Sequence, residues 1–141
     1  MRKILEHWLY LVAIGHILAG LALPLLAYSS AFDFYAELIR GAFWPGTQVP
    51  PEADSFQRWI VALFGPTVTS WGILMLYLVR AGIRSKEVWP WNALIVAVIA
   101  WAPADITISL LHEFWLHVVV DIIAVIAITV PACLLRTQRI A

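Results

Sequence analysis

Apolar residues run along this chain in four long blocks separated by short polar stretches, without the period-two alternation that marks a half-buried strand. The blocks extend from Trp8 to Tyr28, from Trp59 to Val79, from Trp91 to Leu111 and from Phe114 to Leu135. The first two contain no Asp, Glu, Lys or Arg; the third contains one acid, Asp105, and the fourth one acid, Asp121. About 20 mainly apolar residues suffice for a helix to cross the hydrocarbon core of a bilayer. Backbone groups in lipid must be bonded within helices or closed barrels, and continuous apolar runs select helices. The pattern predicts an all-α integral membrane protein: one antiparallel four-helix transmembrane bundle spanning residues 1–141.

The long connection from Ser29 to Arg58 has its own pattern. Phe32, Phe34, Tyr35, Leu38, Ile39 and Phe43 mix with Asp33, Glu37 and Arg40, as in a short amphipathic helix lying on the outer membrane surface. The run from Pro45 to Pro51 is expected to be an extended turn. The segment is read first as a cap over the bundle's outer end, and second as a lid over a site opening outward. The third and fourth blocks are joined near His112 and Glu113 by almost nothing, which requires a tight hairpin.

Charge orients the bundle. Arg2, Lys3, Arg80, Arg84, Lys86, Arg136 and Arg139 fall on one side, and only Arg40 and Arg58 on the other. By the positive-inside rule both termini are expected in the cytoplasm. The short loops suggest a bacterial inner membrane. Trp8, Trp89 and Trp91 mark the inner interface, and Trp44, Trp59 and Trp115 the outer one. The basic start, apolar stretch and small residues at Ser29–Ala31 imitate a signal peptide. That stretch exceeds the usual 7–15 residues of such a signal, so it is read as a retained first helix.

Composition narrows the function classes. The 141 residues are 62% hydrophobic and 13% charged, with zero formal net charge and a mean hydropathy of +0.86. An ordinary soluble domain is about 45–50% apolar and about 25% charged. Nucleic-acid binding and ordinary soluble catalysis are therefore not expected, and the bilayer is the first partner. The one cysteine, Cys133, excludes an intrachain disulfide framework. No P-loop, dinucleotide fingerprint or nucleophile elbow is present, so no cofactor is expected. The run from His112 to His117 resembles HExxH but has one residue too many.

The chemistry is concentrated in the hairpin. Asp105 and Asp121 lie at matching depth, roughly 10 Å below the outer edge at about 1.5 Å per residue. Asp105, Ser109 and His112 share a face at i, i+4 and i+7. Glu113, His117 and Asp121 share another at i, i+4 and i+8, provided the fourth helix reaches back to Glu113. Three readings follow. The groups satisfy one another as interhelical glue; two neighbouring carboxylates handle protons or a cation; or Glu113, His117 and Asp121 hold a metal. His16 is expected to bond a neighbouring helix through Thr67, Thr69 or Ser70. With Trp71 and Trp101 it is also a candidate lining for an apolar pocket.

The run Phe64-Gly65-Pro66-Thr67, then Ser70-Trp71-Gly72-Ile73-Leu74, Val79-Arg80, Trp89-Pro90-Trp91-Asn92-Ala93-Leu94 and Trp101 before Asp105 resembles the BphX-like family of small four-span bacterial membrane proteins. The likeness covers about residues 60–130 and rests on helix-packing residues. The plan is also similar to that of DoxX-like proteins. These resemblances imply a fold, not an activity. The first functional expectation is a non-enzymatic membrane protein, a binding or accessory component holding a protein partner or a lipophilic ligand. The alternative is a proton-coupled carrier or cation-binding protein using Asp105 and Asp121, the carrier version requiring a homodimer. An intramembrane enzyme acting on an apolar substrate comes third.

Overall fold

The computed structural model describes residues 1–85 and 87–140, and among them the chain is all-helical. Helix α1 spans Arg2–Leu26. A 3-10 turn at Ser30–Phe32 leads into α2, Asp33–Phe43. Helix α3 spans Pro51–Arg84, α4 Trp89–Leu111 and α5 Trp115–Ile140. The short amphipathic helix expected in the long connection is therefore α2. Helix α3 extends past both ends of the expected span. Pro51 occupies its first position, where the missing N–H is not needed, and Glu52 and Asp54 favour the positive end of the helix dipole. The expected extended turn accordingly stops at Pro50.

Among the described residues, four helices are long and apolar enough to cross a membrane, with mean hydropathies of 1.6–2.7 over their best stretches. Only 17–33% of those stretches is buried inside the protein. Leu18, Leu25, Leu63, Val96, Ile99 and Ile123 face outward. This excess of outward apolar surface calls for an apolar solvent, as for a multi-pass membrane protein.

Helix α1 packs along α3, and α4 along α5; α1–α5 and α3–α4 contacts join the pairs. Leu9, Ala13, Met75, Val79, Trp91, Leu94, Val98 and Ile128 fill the centre. The α1–α3 seam is close because it lacks side chains. A Cβ at Gly65 would lie 2.6 Å from the Gly20 carbonyl oxygen and 2.7 Å from Pro24 Cδ, and one at Gly72 would lie 2.7 Å from the Ile17 nitrogen. Small residues let membrane helices approach this way.

Interior prolines strip a hydrogen bond from the carbonyl four residues earlier. For Pro131 that carbonyl belongs to Ala127. It accepts the indole N–H of Trp8 on α1, 2.9 Å away. One proline defect thus becomes an interhelical bond.

Helix α2 lies across one end of the bundle, fastened to α3. Arg58 on α3 donates to Asp33 at 2.9 Å, to Asp54 at 3.0 Å and to the Ala27 carbonyl at 3.0 Å. Its guanidinium also sits 5.2 Å from the Phe32 ring centre. Arg40 on α2 pairs with Glu37 and, at 3.5 Å, with the other oxygen of Asp54.

Candidate cation-binding site

The turn between α4 and α5 decides which polar groups meet. The Phe114 N–H donates to the Ser109 carbonyl and the Glu113 N–H to the Leu110 carbonyl. Glu113 between them has a left-handed φ of 55°. These are the two bonds of a Schellman closure, with glutamate where glycine is usual. The chain reverses within three residues, so the last turns of α4 lie against the first turns of α5.

This reversal corrects the expected metal set. Helix α5 starts at Trp115, so Glu113 is outside it and does not continue the stripe of His117 and Asp121. His112 ends α4, exposed, its ring 4.8 Å from that of Phe43 on α2. His112 and Glu113 instead line a surface groove of about 560 Å³ with Leu38, Ala42, Phe114 and Trp115.

The residues brought together are Asp105 from α4 with His117 and Asp121 from α5. One ligand atom from each lies within 4.8 Å of the other two. Asp105 and His117 are partly buried, and Asp121 is only 5% exposed. Oδ2 of Asp121 is buried and has no hydrogen-bond partner among the described residues. Ser109, also 5% exposed, sits one turn beyond Asp105, and its Oγ is 2.9 Å from Nδ1 of His117. That bond fixes the imidazole ring and leaves Nε2 for a further partner. Metal-binding histidines are commonly held through their second nitrogen in this way.

Two carboxylates and an imidazole gathered in a partly buried hairpin favour positive charge between them. The donor set suits a first-row divalent cation: imidazole nitrogen and carboxylate oxygen are both zinc ligands, and three protein ligands leave a fourth position open.

Above the cluster lies a row of rings. Phe32 is 5.5 Å from Tyr35, Tyr35 meets Phe114 edge-on at 5.6 Å, and Phe114 is 6.1 Å from His117. Burial pushes the Tyr35 hydroxyl above its ordinary pKa, and the nearby charges of Asp105 and Asp121 push it further. The sequence placed Tyr35 on the amphipathic helix but gave no sign that it reaches this cluster. Helix spacing relates residues within one element, and Tyr35 arrives through the docking of another.

The remaining candidates lie elsewhere. His16 Nδ1 donates to the carbonyl of Val12 on its own helix, 2.8 Å away, which corrects the expected bond to α3. Thr69, one of the partners expected for it, donates to the Gly65 carbonyl of its own helix. Trp71 and Trp101 are partly buried against the central apolar cluster.

Compared with protein-family models, with curated proteins and with solved structures, the chain matches none.

Proposed function

We propose that this chain is a non-enzymatic, multi-pass membrane protein that binds a divalent cation of the zinc class between Asp105, His117 and Asp121. The observation carrying this reading is the convergence of three ligand atoms within 4.8 Å, one of them on the buried carboxylate of Asp121, whose Oδ2 has no hydrogen-bond partner among the described residues. Buried polar groups are normally paired, so an orphan oxygen beside two other metal-ligand side chains calls for a missing partner. Ionisable residues at membrane depth point to function for the same energetic reason. The Ser109 hydroxyl occupies Nδ1 of His117 and leaves Nε2 to face a cation, while Asp105 and Asp121 supply the charge. The packing of Trp71 and Trp101 against the core favours an ion over a lipophilic ligand as the cargo.

The four helices form an antiparallel bundle in a bacterial inner membrane, with both termini in the cytoplasm and α2 on the outer face. Seven of the nine basic residues on the inner side support this orientation. The cation site then lies in the outer half of the membrane.

Titration of purified protein in lipid nanodiscs with Zn²⁺, followed by calorimetry and native mass spectrometry, tests the reading. One Zn²⁺ per chain is expected. His117→Ala and Asp121→Asn should each weaken binding by more than the roughly 10–100-fold that loss of an outer hydrogen-bond partner costs. No stoichiometric binding of Zn²⁺, Co²⁺ or Mn²⁺ overturns it.

A further inference from the structure

We infer that α2 is a lid over the cation site and that Arg58 is its latch. The inference rests on the cation site proposed above and adds the route and control of access. Three observations carry it.

The first is cover. Tyr35 on α2 has its hydroxyl raised above the ordinary pKa, chiefly by burial and further by Asp105 and Asp121. Its ring meets Phe114, which neighbours His117. Phe32, Tyr35 and Phe114 thus place aromatic rings between the cluster and the α2 end of the bundle, and Asp121 beneath them is 5% exposed. An ion arriving from that end has to pass α2.

The second is the fastening. Helix α2 is tied to α3 by two crossing ion pairs, Asp33–Arg58 at 2.9 Å and Arg40–Asp54 at 3.5 Å, and Asp54 is shared by both arginines. Arg58 also lies over Phe32, the first ring of the row. The latch and the cover are therefore in direct contact. All four charged side chains keep some exposure, from 20% at Arg58 to 57% at Asp33. Such pairs are individually weak and reversible, as a latch requires and a permanent clasp does not.

The third is the pivot. Beyond α2 the chain turns at Pro45-Gly46, where Gly46 takes a φ of 72° that few other residues adopt, and Gly46 is exposed. Before α2 it passes through the short 3-10 turn at Ser30–Phe32. Helix α2 is thus a rigid piece between two short turns, the geometry of a hinged element.

A lid controls rates, while the ligands control affinity. Asp33→Asn removes the latch pair but leaves Arg58 bonded to Asp54 and Ala27, so the bundle keeps its other ties. Arg58→Gln is the stronger variant. The probe is Zn²⁺. The full chain in nanodiscs is loaded, then mixed rapidly with excess chelator and a fluorescent indicator, and equilibrium titrations are run in parallel. Both variants are expected to release and take up Zn²⁺ roughly three- to tenfold faster, the scale of losing one or two partly exposed ion pairs. Equilibrium affinity should stay within about threefold of the parent, since no proposed ligand changes. Raising salt should speed exchange in the parent and have less effect in Asp33→Asn, because screening acts on the pair already removed.

Parent-like rates in both variants overturn the lid and leave the cation site standing. Weaker affinity without faster exchange also overturns it, because α2 would then contribute binding and not control. Absence of Zn²⁺ binding by the parent removes the site itself and the lid with it.

Discussion

Ser109 Oγ and His117 Nδ1 lie 2.9 Å apart across the α4–α5 hairpin, linking the residue one turn beyond Asp105 to the residue one turn before Asp121. The bond fixes which imidazole nitrogen faces a ligand. Ser109→Ala should therefore weaken Zn²⁺ binding about 10–100-fold, the usual cost of an outer-shell partner, while the helical content is kept. Calorimetric titration beside a circular dichroism spectrum checks this; unaltered affinity would show that the imidazole is held by something else.

Asp121→Asn separates a binding site from interhelical glue. Its buried oxygen has no partner, so neutralising the carboxylate relieves a desolvation cost. The variant is expected to be at least as heat-stable as the parent in cation-free buffer. The parent should gain stability with Zn²⁺, about 2.7 kcal/mol at a hundredfold excess over Kd, and the variant should gain almost none. A variant that is much less stable without cation argues for a structural pair.

Glu113→Gly addresses the turn. Glu113 holds a left-handed φ of 55°, which costs an L-residue roughly 1–2 kcal/mol and glycine little. The expected result is a stability gain of about 1 kcal/mol with Zn²⁺ affinity unchanged. Loss of affinity would restore Glu113 to the ligand set.

Trp8→Phe removes the donor to the Ala127 carbonyl that Pro131 leaves free. Hydrogen bonds between membrane helices are worth about 0.6 kcal/mol on average and up to about 1.7, so a loss on that scale is expected. In a Pro131→Ala background the carbonyl regains its helical partner and the loss should shrink. A double-mutant cycle of unfolding in mixed micelles measures the coupling.

Gly65→Ala presses a methyl group against the Gly20 carbonyl and Pro24, where backbone cannot yield cheaply. The expected loss is about 1–3 kcal/mol, as for other overpacked sites. Gly15, on the same bundle, has nothing within 4 Å of a built Cβ. Gly15→Ala should be neutral or gain about 0.5–1 kcal/mol from helix propensity. Equal effects at the two positions would contradict the close seam.

By itself the sequence determined the four apolar helices and the amphipathic α2, and it set Asp105 and Asp121 at corresponding turns of neighbouring helices, which the structure brings together. These follow from composition and spacing along a single helix, where 3.6 residues per turn turns order into direction. Ser109 and His117 were legible as members of polar faces for the same reason. The tertiary structure decided the rest. Glu113 left the candidate set because the Schellman closure placed it outside α5, a matter of backbone bonds at one turn. His16 bonded its own helix and not α3. Tyr35 came to meet Phe114, and Arg58 to pair with Asp33, because α2 docks across the bundle end. Contacts between elements far apart in the chain depend on packing angle and separation, which local periodicity does not encode.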